Sequence, residues 1–259
     1  MPTAQQLYEL WADDAELRGA LERSLDPRGV DWLYGAFAAL GPRPGDLVLD
    51  AGARDAKHAI RLVRELGVRA VALDPVPVHV ELARAAVAEA GLTDEIEVVE
   101  GSIETLPLAD ASVDWIWCRD VLVHVEVERG LAQLARVLRP GGAILAYVTL
   151  ATERLEPRER AELVDAIAIR MFDADRLEAA AEAAGLRLRS VDPIGSEWRE
   201  RMIEDGTWDA GEDLLHIARL RRGDVTGPEA AAAWGGLVWG AYQLLGKTCP
   251  TVYVWGRDA

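Results

Sequence analysis

The stretch that most constrains the fold is Val48-Leu49-Asp50-Ala51-Gly52-Ala53-Arg54-Asp55-Ala56. An apolar run ends in an acid, passes one glycine and enters a helical pattern at Ala59, Ile60, Val63 and Leu66. Apolar residues at that spacing line one helix face. A second apolar run, Ala70-Val71-Ala72-Leu73, then ends in Asp74. Strand, tight turn, helix and strand in this order make a βαβ unit with parallel strands. Both acids then stand at strand tips, where ligands of open α/β sheets bind.

Asp74 stands where a ribose diol would be held, because a carboxylate accepts hydrogen bonds from both hydroxyls. The segment therefore points to an adenosine-containing cofactor. A dinucleotide fingerprint needs three glycines, so that backbone N–H groups can approach a pyrophosphate. Here Gly52 is present, whereas Arg54 and Ala56 fill the second and third small-residue positions. A phosphate-free ligand asks for less close approach. S-adenosylmethionine (SAM) is such a ligand, and it carries a cationic sulfonium.

Three further segments follow in order. Ile96 to Glu100 forms a strand pattern that leads into Gly101-Ser102-Ile103-Glu104-Thr105-Leu106-Pro107. Ser112 to Val125 holds Val113-Asp114-Trp115-Ile116-Trp117-Cys118, then Arg119-Asp120-Val121-Leu122-Val123-His124. Leu134-Ala135-Arg136-Val137-Leu138-Arg139-Pro140-Gly141-Gly142 runs into Ala143-Ile144-Leu145-Ala146-Tyr147-Val148. From Leu47 to about Thr149 the chain resembles the class I SAM-dependent methyltransferases of the small-molecule type. The resemblance implies an α/β, Rossmann-like, doubly wound sheet of seven strands. The last strand is antiparallel and slots between the fifth and sixth. It also implies that Asp50, Gly52, Ala53, Arg54, Asp74, Pro75, Ser102, Ile103 and Arg119 surround the cofactor. In that family an acid usually stands where this chain has Ser102; a serine can still accept from an adenine amine, without charge.

Size and charge narrow the function. A chain of 259 residues, half of them hydrophobic, can bury a sizeable core. Its formal net charge of -16 repels phosphate backbones, and no basic cluster argues for nucleic acid. Lysine occurs only at 57 and 247. The Ala/Arg-rich usage fits a GC-rich bacterial gene. Two separate cysteines, Cys118 and Cys249, make neither a disulfide framework nor a metal site. With no secretory pattern at the start, a reducing cytoplasm is expected. The uncharged run Ala230 to Gly246 is short for a membrane span and reads as a buried or interface helix.

The organisation read from these signals is one methyltransferase domain. Residues 1–45 form a helical N-terminal cap, 46–150 the SAM-binding core, and 151–259 complete the sheet. Helices are expected at 55–66, 78–90, 126–138, 157–170 and 174–184, and further strands at 186–191 and 251–255. Between those strands, 195–202, 208–221 and 229–245 read as helices, so about 195–247 is expected to be a helical lid.

Individual residues carry alternatives. Arg54 pairs with the cofactor carboxylate, pairs with Asp55, or folds outward. His124, after the fourth strand, either takes a proton from the attacking acceptor or packs beside Val121, Leu122 and Val125. Tyr8, Trp11, Trp198 and Trp208 are candidates for the acceptor pocket and lid, or for helix packing. His58, His79 and His216 read as structural or solvated. Trp115 and Trp117 read as core, and the Trp-rich 234–242 offers a homodimer surface. The expected partner is a small-molecule methyl acceptor, with no nucleic acid and no membrane. Methyl transfer from a sulfonium to O, N or C needs mainly alignment and exclusion of water. Three alternatives stay open: a SAM-binding enzyme of other chemistry such as cyclisation, a nicotinamide-dependent oxidoreductase, and an interaction protein without catalysis.

Overall fold

The computed structural model describes residues 4–11, 28–194 and 208–258. Trp198 lies outside the described residues, and only the backbone of Tyr8, Trp11 and Trp208 is described. The strands are β1 (Leu47–Ala51), β2 (Arg69–Asp74), β3 (Ile96–Glu100), β4 (Val113–Arg119), β5 (Leu138–Ala151), β6 (Arg187–Pro193) and β7 (Thr248–Gly256). The helices are α1 (Ala4–Trp11), α2 (Val30–Ala38), α3 (Lys57–Leu66), α4 (Pro77–Ala90), α5 (Val127–Val137), α6 (Pro157–Ile167), α7 (Ala174–Ala183), α8 (Trp208–Arg221) and α9 (Pro228–Leu244). Two compact units emerge. One holds Asp31–Val148, Asp175–Val191 and Val252–Ala259; the other holds Met1–Val30, Thr149–Ala174 and Asp192–Thr251.

The first unit is built on a seven-stranded sheet in the order β3-β2-β1-β4-β5-β7-β6. β1 pairs in parallel with β2 and with β4, which sets Asp50 opposite Ala72 and Trp117. β2 pairs in parallel with β3, and β4 with β5. β7 runs antiparallel to β5. Gly141 N–H donates to Arg257 O and Thr152 N–H to Lys247 O, so one partner number falls as the other rises. The strand order reverses between β1 and β4. A crevice opens at such a reversal, beyond the carboxyl ends of the strands.

Strands covered on both faces read as continuous apolar runs, and Ala143 to Leu150 in β5 is buried throughout. Behind β4, the fully buried Trp117 stacks on Tyr34 at 4.9 Å between ring centroids and meets Phe37 edge-on at 5.5 Å. Trp115 differs from the expectation of a core residue. It is half-buried, and its indole N–H donates to Asp46 Oδ2 at 2.9 Å. β6 is exposed along most of its length, as the border of the sheet.

In the second unit, α9 is flanked by α1, α6 and α8. Its apolar residues surround the axis, and Trp234, Val238, Trp239 and Tyr242 are buried. The Trp-rich run expected as a homodimer surface is therefore a core helix of its own chain. No helix among the described residues is long and apolar enough to cross a membrane. An ion pair and a hydrogen bond close the unit: Lys247 Nζ donates to both oxygens of Glu159 at 2.7 and 2.8 Å, and the Tyr242 hydroxyl donates to Glu162 Oε2 at 2.5 Å. Lys247 and Glu159 also face a cleft of about 730 Å³ with Arg154, Glu212, His216 and Arg219.

Expected and observed elements differ chiefly at their ends. The helix expected over 157–170 stops at Ile167, where Ala168 turns left-handed with φ +52°. The strand expected at 251–255 begins earlier, at Thr248.

Candidate functional site

The loop after β1 folds over the tip of β2. Gly52 and Ala53 N–H both donate to Leu73 O, at 2.8 and 2.9 Å, and Arg54 N–H donates to Asp74 Oδ2 at 2.9 Å. Every second residue is left-handed: Gly52, Arg54 and Ala56 have φ of +76°, +50° and +58°. Arg54 and Ala56 thus hold a conformation that disfavours L side chains by roughly 1 kcal/mol each. Hydrogen bonds and burial enforce it, since Ala56 is fully buried. At Gly52 the requirement is steric as well. A Cβ there would lie 2.2 Å from Val121 Cγ2, so the segment leaving β4 could not approach.

Asp50 and Asp74 occupy neighbouring strand tips, as expected, but in different environments. Asp50 is buried, and its Oδ2 accepts from Ala59 N–H at 3.0 Å, so it caps the first turn of α3. Burial pushes its carboxyl up to about 7; Asp74 and Asp55 add to that rise, and the Ala59 N–H opposes it. Folding therefore favours the protonated form. That stabilisation is complete below about pH 4 and lost by about pH 7, because the ordinary value is 3.8. The gap corresponds to roughly 4 kcal/mol as an upper limit. Asp50→Asn is expected to gain stability over the wild type as pH rises from 4 to 7, then to hold that gain. Thermal unfolding across this range checks it, and a pH-independent difference would exclude the assignment.

Asp74 is also buried, and three donors surround its carboxylate. Oδ2 accepts from Arg54 N–H; Oδ1 accepts from Val76 N–H at 2.9 Å and from the His79 imidazole Nδ1 at 3.0 Å. A carboxylate has about four acceptor positions, so one remains, on Oδ2. Of the two alternatives for His79, structural or solvated, the structure shows the first: it is buried against the candidate ribose ligand. The usable signal is its place on the third residue of a helix that begins with Pro77, directly after the strand-tip acid.

The other candidates fall nearby or pack. Pro75 is exposed beside Asp74. Ser102 Oγ accepts from Glu104 N–H at 3.1 Å, which caps the short 3-10 turn Ile103–Thr105, and Ile103 is buried. Arg119 lies over the Tyr147 ring at 5.4 Å. Asp120 is left-handed, with φ +53°, and its N–H donates to Tyr147 O at 2.8 Å. That bend aims Val121 at Gly52. His124 ends the 3-10 turn Leu122–His124, half-buried, and its backbone N–H donates to Val121 O at 3.0 Å. His58 sits behind the sheet, where its Nδ1 accepts from Tyr34 Oη at 2.5 Å, and burial keeps its imidazole neutral.

The arrangement suits a nucleoside. One acceptor position is left on a fixed carboxylate, beside a tight backbone loop at the reversal point of the sheet. The chain is similar to several known proteins. Residues 49–146 match the family described as "Methyltransferase domain". An uncharacterised methyltransferase of Mycobacterium bovis is 36% identical over 150 residues, which is 56% of this chain and 56% of that protein. The chain thus spans about half the length of this curated relative. Among solved structures, the cyclase SpnF aligns over 100% of this chain and 97% of its own, with TM-score 0.74 and 20% identity. Geranyl diphosphate methyltransferase in complex with SAM aligns over 88% of this chain and 84% of its own, with TM-score 0.66 and 17% identity. At these identities the structural likeness establishes the fold. Residues 49–146 are thus similar to known methyltransferase domains in sequence, and the chain shares the fold of a SAM-binding methyltransferase.

Proposed function

We propose that this domain moves the methyl group of SAM to oxygen, nitrogen or carbon of a small molecule. The observation that carries the reading is the loop Gly52–Ala56 hydrogen-bonded onto Asp74. It leaves one carboxylate position for a ribose hydroxyl and presents no phosphate cradle. SAM, when bound, supplies a methyl group already activated by the positive sulfonium. The residues of the chain then have to orient and shield. Asp74 takes the ribose, Ser102 and Ile103 border the adenine, and the Arg54 guanidinium pairs with the cofactor carboxylate. His124 accepts the proton of an acceptor hydroxyl or amine.

Acceptor choice belongs, in this reading, to the N-terminal helices and residues 195–247. Both cysteines are thiols, which suits a reducing cytoplasm.

Calorimetric titration with S-adenosylhomocysteine tests the cofactor. Micromolar binding is expected, and absence of binding to both it and SAM would overturn the proposal. Mass spectrometry of the spent cofactor tests the chemistry. S-adenosylhomocysteine is the expected product, whereas methylthioadenosine would show transfer of a different SAM group.

A further inference from the structure

We propose that His79 is a positioning residue for the ribose-binding carboxylate of Asp74, an inference that rests on the reading of Asp74 as the ribose ligand. The local sequence builds the contact. Asp74 closes β2 and is followed by Pro75, which keeps the acid extended. Its Oδ1 accepts from Val76 N–H two residues on, which tightens the turn into α4. The helix starts at Pro77, and Val76 before it offers no side-chain cap. His79 lies on the first turn and reaches back to the strand tip, 3.0 Å from Oδ1 and 2% exposed.

The consequence follows from counting acceptor positions. Val76 N–H and the imidazole together fill Oδ1, while Arg54 N–H takes one side of Oδ2. His79 therefore fixes the plane of the carboxylate and directs the diol to the remaining face of Oδ2. Without the imidazole, two backbone donors hold the group, Oδ1 opens, and the carboxylate gains a second way to present itself. A hydrogen bond to an ionised acceptor in a water-poor site is among the stronger ones, so a measurable effect on cofactor affinity is expected.

The test compares His79→Leu, which removes the donor, with His79→Asn, whose amide nitrogen replaces the imidazole Nδ1. S-adenosylhomocysteine should bind the leucine variant roughly 10-fold more weakly than the wild type, and the asparagine variant within about twofold. In turnover the loss should fall on KM for SAM, with kcat retained. A residue that only supported the helix would not be rescued by asparagine. If the wild type binds and the leucine variant binds equally well, the inference falls while the cofactor reading stands. If the wild type fails to bind, the cofactor reading falls and takes the inference with it. A measurement on the unaltered protein guards against a variant that does not fold: nitrogen NMR of the His79 ring should show the proton on Nδ1. A proton on Nε2 alone would overturn the proposal, because Nδ1 would then have nothing to donate.

Discussion

Gly52→Ala is expected to destabilise the protein by about 2–4 kcal/mol and to abolish measurable cofactor binding. Two penalties add. The φ of +76° disfavours any L side chain by roughly 1 kcal/mol. The new Cβ would lie 2.2 Å from Val121 Cγ2, far inside contact distance, so either the loop or the segment after β4 must move. Both flank the crevice, and moving either disturbs the N–H groups that hold Leu73 O and Asp74. Denaturant unfolding reads the first effect and S-adenosylhomocysteine titration the second. Adding Val121→Ala removes the obstructing methyl and should restore part of the stability. A Gly52→Ala protein as stable as the wild type would refute the steric account.

Asp74→Ala is the second large effect. It removes the acceptor for Arg54 N–H, Val76 N–H and His79 Nδ1 at once. Leaving buried donors unsatisfied costs about 1–3 kcal/mol for each group that water cannot reach. The loop would lose its tether to β2, and the ribose its acceptor. S-adenosylhomocysteine affinity should fall by roughly 100-fold or more. Asp74→Asn, which keeps the shape and one carbonyl oxygen, should fold better than the alanine variant yet still bind the cofactor more weakly. Unchanged affinity in Asp74→Ala would move the ribose site elsewhere.

The strand tips, the tight turn and the alternation of strands and helices were legible in the chain because they depend on local pattern. Apolar runs of period two or fully buried runs, ending in Asp50 and Asp74, survive folding unchanged. Other features are properties of tertiary contact. Left-handed Arg54 and Ala56 run against residue preference and exist because the tip of β2 and burial enforce them. The raised carboxyl of Asp50 needs the complete enclosure of its strand end, which no window of sequence reports. His79 looked isolated because its partner lies across a strand-to-helix turn rather than one helical turn away. The Trp-rich run of α9 read equally well as an outer surface or a core. The surrounding helices decided for the core. The acceptor determinants left no such local signature, since pocket shape arises from helices brought together in three dimensions.

The flank of the sheet formed by β6 sets a boundary on self-association. Arg187 is engaged with Asp258, Arg189 donates to Gly142 O, and Pro193 lacks an N–H to offer a newcomer. Guanidinium charge and a missing donor along an outermost strand discourage a foreign strand from extending the ladder. Concentrated solutions of this protein should accordingly resist fibrillar stacking along that strand.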